Sequence, residues 1–161
     1  MKTASYALIA GAVSIAYPAH AGTVTITLPR MDIAEYKKPY VAAWIEPVAA
    51  GAPRTLFVWY AVNKGGGEPG TKWLSELRSW WRKAGRTMKL PADGVSGATR
   101  APGSYTIPLP ADLKPGNYIV HVEAAREHGG RELVSVPVTL PKAAGSATGK
   151  SELRAVKVSA K

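Results

Sequence analysis

The sequence predicts an all-β domain, an immunoglobulin-like antiparallel β-sandwich of about seven strands with one inserted short helix. Three observations carry that reading. Apolar and polar residues alternate over most of the chain, Gly/Pro turn signals separate the alternating runs, and one segment alone switches to helical spacing. "TVTITL" (23–28) sets Val24, Ile26 and Leu28 against threonines, the pattern of a half-buried strand. "YVAAWIEP" and "TLFVWYAV" are two further strands across the hairpin-type connection "VAAGAP". "TKWLSELRSWWRKAGR" has apolar residues at 73, 74, 77, 80 and 81, which predicts a helix over about 71–84 with Thr71 as N-cap and Gly85 as stop. "SYTIPL" follows. In "DLKPGNYIVHVEAA" Pro115-Gly116 makes a turn and Tyr118 begins a long strand. Gly129-Gly130 predicts a two-residue hairpin turn into "ELVSVPVTL". A loose, flexible Gly/Ser/Ala stretch (143–149) then leads to a last strand in "ELRAVKVS".

The first residues address the compartment. Lys2, an uncharged apolar run from Ala4 to Ala16 and the small-x-small pattern Ala19-His20-Ala21 read as a secretory signal peptide spanning 1–21. Residues 22–161 are then one domain, periplasmic and not membrane-inserted, since no segment is apolar for long enough to cross a bilayer. The chain has no cysteine, which excludes disulfides, thioether-bound haem, cysteine-ligated zinc and iron–sulfur clusters. Its net charge is +10, from 21 Lys and Arg against 11 Asp and Glu. Such a surface suits anionic partners, while the compartment speaks against nucleic acid.

Three constellations are candidates for chemistry. Trp73 and Trp80 share a helix face with Leu77, the face expected to dock on the sandwich, and Trp81 lies beside Trp80. Either Trp80 or Trp81, flanked by Arg78, Arg82 and Lys83, would suit a flat ring carrying a phosphate. His121, Glu123 and His128 form a second group, which as a weak alternative would hold a divalent metal. No third histidine remains after residue 21, and Arg126 and Arg131 compete for the acids, so an ionic network at a hairpin is the plainer reading. Neither a catalytic triad nor a nucleotide-binding glycine pattern is present, and the chain reads as no enzyme.

The third is "PADGVSGATR" (91–100), which holds two glycines, a buried-looking Asp93 and the hydroxyl of Thr99. Asp93-Gly94-Val95-Ser96-Gly97-Ala98-Thr99 resembles the flavinylation motif of bacterial periplasmic flavin transferases, which join FMN through its phosphate to the last threonine. The resemblance implies Thr99 as attachment point and Asp93, Ser96, Gly97 and Ala98 as recognition sequence. Small residues keep such an acceptor accessible. At average residue usage a chance match in a chain of this length is on the order of one in a few thousand. Where the motif commonly continues with a Ser, Thr or small residue this chain has Arg100, which either pairs with the phosphate or hinders the transferase. The plain alternative is a turn in which Asp93 caps, Gly94 and Gly97 take positive φ and Thr99 opens the next strand.

"KKPYVAAWIE", "RTLFVWY", "KWLSELRSWWR", "DGVSGATRAPGSYTI" and "LKPGNYIVHVEAAREHGGRE" together resemble the bacterial secreted domain-of-unknown-function family 2271. That resemblance implies a flavin transferase and a membrane redox protein, of the PepSY type, as partners. It also implies a part in extracytosolic electron transfer with a link to iron handling. The function expected is a periplasmic electron-transfer protein carrying covalent FMN on Thr99. The alternative is a non-enzymatic binding or structural module for a protein or anionic partner, without flavin.

Overall fold

The computed structural model describes residues 21–62, 69–142 and 144–160; the signal-peptide reading, apart from Ala21, lies outside them. Two sheets face each other. One has the order β5 (Gly103–Pro108), β1 (Gly22–Leu28), β9 (Ala155–Ala160), β8 (Gly145–Thr148). The other runs β4 (Ser96–Ala98), β3 (Arg54–Tyr60), β2 (Tyr40–Pro47), β6 (Gly116–Ala125), β7 (Arg131–Leu140). Every pairing is antiparallel except β3 with β4.

All seven strands expected from the alternation are present, and two more appear. β8 forms within the stretch read as loose, where Gly145–Thr148 adds to β9. β4 forms inside "PADGVSGATR". Strand pairing here uses only backbone groups, so small residues without β preference still join an available edge.

β1 shows why alternation makes a sandwich. Val24, Ile26 and Leu28 point inward, where they meet Val41, Ala43, Ile45, Val120 and Val122 of the facing sheet. The threonines point outward, and Thr25 and Thr27 hydrogen-bond the hydroxyls of Thr106 and Ser104 at 2.9 and 2.8 Å. β2 and β3 behave differently, being buried on both faces. Their outer residues Ala42, Trp44, Val58 and Tyr60 form a second apolar cluster with Leu74, Leu77 and Trp80 of the helical insertion.

The insertion is not the continuous helix that the spacing predicts. A 3-10 segment, Gly70–Glu76, breaks at Leu77 (φ −77°, ψ 69°) and gives way to α1 (Arg78–Lys83) and a second 3-10 turn, Gly85–Thr87. Pro69, not Thr71, stands at the N-cap, and no side chain caps there. The break lets Leu74, Leu77 and Trp80 all reach the sheet, a burial worth more than a regular ladder of so few turns. Gly85 does mark the stop, for a packing reason: a Cβ there would stand 2.6 Å from the Trp80 ring.

Beyond β8, Glu132 organises the connection to β9. Its carboxylate accepts the amides of Lys150, Ser151 and Leu153. Partial burial pushes that carboxyl up, but the three amides outweigh it and hold it below its ordinary value of 4.5. A depressed carboxylate stabilises the fold above its unfolded pKa, and that contribution is lost as pH falls through the folded value. Glu132→Gln is therefore expected to lower stability by about 1–2 kcal/mol at pH 7. In urea denaturation the gap to wild type should begin to shrink as pH falls below the ordinary carboxylate value of 4.5 and close at still lower pH.

Candidate functional site

A cleft of about 610 Å³ opens where β2 begins, β3 and β4 end and β6 turns into β7. Each wall has a distinct origin. The segment before β2 supplies Tyr36, Lys37 and Lys38, and β2 itself supplies Tyr40. The insertion brings Trp73, Glu76 and Arg78, and the β6–β7 turn brings Arg126 to Arg131. Thr99, the first residue after β4, completes the wall. Five of the lining side chains are Lys or Arg and two are Glu. Arg126, Arg131 and Lys37 are paired with Glu152, Glu123 and Glu35, which leaves Lys38 and Arg78 as the lining cations without an ion pair among the described residues.

β4 positions Thr99. It lies parallel to β3 with Ser96, Gly97 and Ala98 opposite Val58, Trp59 and Tyr60, and the Thr99 amide donates to the Tyr60 carbonyl at 3.2 Å. The preceding turn is built locally: Gly94 takes φ +69°, and the Ser96 hydroxyl accepts the Ala92 amide at 2.9 Å. Three expectations for this stretch change. Asp93 is exposed, since it sits in the turn away from the cleft. Gly97 does not need positive φ; its lack of a side chain admits Trp59, whose Cδ1 would lie 3.1 Å from a Cβ. Thr99 ends an edge strand instead of opening the next one. Ala98 is exposed at the same edge.

Arg100 turns away from the cleft. Its guanidinium covers the rings of Trp59 and Tyr105 at 5.5 and 5.7 Å, where cation–π attraction holds it. It is not among the residues that line the cleft. Trp80 is also ruled out as a stacking platform: it is fully buried, and its indole N–H donates to Thr55 Oγ1 at 3.0 Å. Trp81 is half-buried and faces a separate pocket with Arg78, Arg82 and Arg131. The tryptophan that does line the cleft is Trp73, 39% exposed, with Lys72 Nζ 5.4 Å from the ring centroid.

Two buried carboxylates fix the arginines at the back. Glu152 binds Arg126 through both oxygens, at 3.0 and 3.1 Å, and accepts the Gly130 amide at 2.9 Å. Glu123 accepts the amides of Ser79 and Trp80 and Nη1 of Arg131 at 2.9 Å. These contacts also explain the turn. It spans Arg126 to Gly130, longer than the two glycines predict, and the residue at positive φ is His128 (53°). Gly129 and Gly130 serve close approach, because a Cβ on either would collide with Arg126 or Glu152.

The metal alternative does not assemble. Both Glu123 oxygens are taken by N–H donors, and His128 is exposed on the turn. His121 stacks on Trp44 with ring centroids 4.9 Å apart and binds Ser135 Oγ at 2.7 Å. Burial lowers its pKa, Glu46 opposes that shift and Lys83 adds to it. Among the described residues no three His, Asp or Glu side chains converge to hold a metal ion.

Tyr36 to Lys38 escaped the sequence reading as a cleft wall because they belong to no strand, and Tyr40 because it reads only as the start of β2. The only signal was two tyrosines flanking a lysine pair. Burial raises the pKa of both phenols; Arg126 opposes the shift at Tyr36. Tyr40 Oη is buried without a hydrogen-bond partner. The Ala61 backbone amide is close enough to oppose part of the Tyr40 shift, yet does not meet hydrogen-bond geometry. Tyr40→Phe is accordingly expected to leave the melting temperature of the ligand-free protein unchanged or slightly raised. A loss above about 1 kcal/mol would mean that the phenol is already satisfied.

Among the described residues no helix is long and apolar enough to cross a membrane. No curated protein and no solved structure matches the chain significantly. The family model described as "Predicted periplasmic protein (DUF2271)" matches residues 21–155. The protein is thus periplasmic, and the chain belongs to the DUF2271 family.

Proposed function

We propose that this domain is a periplasmic electron-transfer protein that carries FMN covalently, as a phosphoester on Thr99. The observation that carries the reading is the position of Thr99. A residue singled out by a motif for attachment lies on the wall of a cleft of about 610 Å³ that is also lined by an exposed tryptophan and by lysines and arginines. The residues fit the group. The volume of about 610 Å³ is in the range of cofactor sites, and Tyr40 Oη is a buried polar atom with no partner. Thr99 and Tyr40 line the same cleft near the end of β3, Thr99 bonded to the Tyr60 carbonyl and Tyr40 close to the Ala61 backbone amide.

When bound, FMN would supply reversible one- and two-electron transfer. The chain's own residues hold and orient it. Trp73 would offer an aromatic face, Tyr40 a hydrogen-bonding hydroxyl, and Lys37 and Lys38 positive charge for an anionic group. This assignment replaces Trp80, Trp81 and Arg100 with Trp73 and the Tyr36–Tyr40 segment. Attachment forms an Oγ1–P bond at Thr99, with loss of the hydroxyl proton and of the other substituent of the activated phosphoryl donor. That chemistry belongs to the transferase; this domain is its substrate and no enzyme.

The same reading extends to the fold, which we take as immunoglobulin-like. β2, β6 and β7 pair as the C, F and G strands of that fold do, and β5 with β1 as E with B. Tyr118, near the start of β6, donates to the Lys114 carbonyl at 2.9 Å, the contact of a tyrosine corner. β9 then takes the place of the usual first strand.

The test is co-expression with a periplasmic flavin transferase, followed by intact mass under denaturing conditions. A gain equal to FMN less water, mapped to the peptide holding Thr99, is expected. An unmodified mass beside a labelled control substrate would reject the proposal. Electron delivery to a PepSY-type membrane partner is the second arm, read as reoxidation of the labelled protein.

A further inference from the structure

A second pocket, about 380 Å³, lies between the insertion and the start of β7, lined by Ser75, Arg78, Trp81, Arg82 and Arg131. Its polar side chains include three guanidiniums and a hydroxyl, and no carboxylate. Arg78 and Arg82 are four residues apart on α1, a helix of six residues with no acid, so their charges repel across one turn. Neither forms an ion pair among the described residues.

Two of the three guanidiniums are also held in place. Arg82 Nε donates to the Arg78 carbonyl at 3.2 Å. Arg131 Nη1 is fixed at 2.9 Å by Glu123, which is fully buried and also anchors the start of α1. Glu123 offsets one positive charge, which leaves the pocket with two. Fixed, forked donors facing one space, with charge left over, are what a tetrahedral oxyanion needs. Ser75 adds another donor, and the half-buried Trp81 closes one side.

We propose that this pocket binds a phosphate group, either of a soluble phosphate or of an anionic lipid headgroup. Arg78 and Arg131 also line the cleft, but Arg82 lines this pocket alone and Thr99 lies outside it, so the inference does not depend on flavin attachment.

The experiment uses the mature protein made without a transferase, so that flavin is absent. Inorganic phosphate and pyrophosphate are titrated at constant ionic strength against chloride, followed by calorimetry and melting temperature. Co-sedimentation with phosphatidylglycerol and phosphatidylcholine vesicles is run in parallel. Saturable binding of phosphate or of phosphatidylglycerol alone is expected. Arg82→Gln should weaken it at least fivefold, while the ligand-free melting temperature stays unchanged, since Arg82 is exposed. Arg86→Gln, an equal charge change outside the pocket, should weaken it less than twofold. Phosphate binding without vesicle binding identifies a soluble ligand, and Arg82-dependent vesicle binding alone identifies a headgroup. Absence of both, or equal weakening by the two variants, overturns the proposal.

Discussion

Glu123→Ala is expected to destabilise the domain by about 3–5 kcal/mol, a large part of what a domain this size possesses. The carboxylate is fully buried and has N–H donors from two directions. It accepts the Ser79 and Trp80 amides, which open α1, and Nη1 of Arg131, which opens β7. Its removal leaves the two amides and a guanidinium without their acceptor and a cavity between sheet and insertion. Glu123→Gln, which keeps one acceptor oxygen, should lose less. Urea denaturation followed by tryptophan fluorescence measures both, because Trp80 stands at the affected contact. A loss below about 1 kcal/mol for the alanine variant would mean that the insertion is held by its apolar face alone.

The second large effect concerns Thr99. Thr99→Ala should abolish covalent labelling by a transferase, a fall of at least about a hundredfold, because it removes the only atom proposed to bond phosphorus. Stability should change by less than about 1 kcal/mol. The residue's hydrogen bond to Tyr60 uses its backbone amide, which alanine keeps. Thr99→Ser keeps a hydroxyl and should retain measurable labelling. Intact mass of the three proteins after equal exposure gives the comparison. Full labelling of the alanine variant would move the attachment to another hydroxyl, whereas labelling of neither wild type nor serine variant would reject the carrier reading.

Legibility in the sequence followed the number of faces that each segment buries. β1 buries one face and alternates strictly, so Val24, Ile26 and Leu28 could be placed from spacing alone. β2 and β3 bury both faces, and their nearly continuous apolar runs hinted that something covers the outer one. The cover itself was misread as one regular helix. Spacing reports which residues are buried, here Leu74, Leu77 and Trp80, and not whether the backbone between them breaks. The same limit applied to Trp73: helical periodicity put it on the buried face, but the break at Leu77 leaves it exposed in the cleft.

At the candidate site, local chemistry was visible and assembly was not. Thr99 stood out by its neighbours. The side chains around it come from the segment before β2, the insertion and the β6–β7 turn, and no periodicity links those pieces. The glycines at 129 and 130 read as turn formers. Their cause is Glu152, more than twenty residues later, which needs the space.

The placement of β9 bears on how the chain comes to fold. β1, the first strand, lies between β5 and β9, with Gly22 opposite Ala160 and Thr27 opposite Ala155. Until residues 155–160 arrive, β1 has one open side and the sheet lacks its centre. A nascent or partly exported chain therefore cannot close this core, whatever its earlier strands do. Such distant pairing makes for slow, late folding, which suits a protein that must remain threadable until it has crossed a membrane.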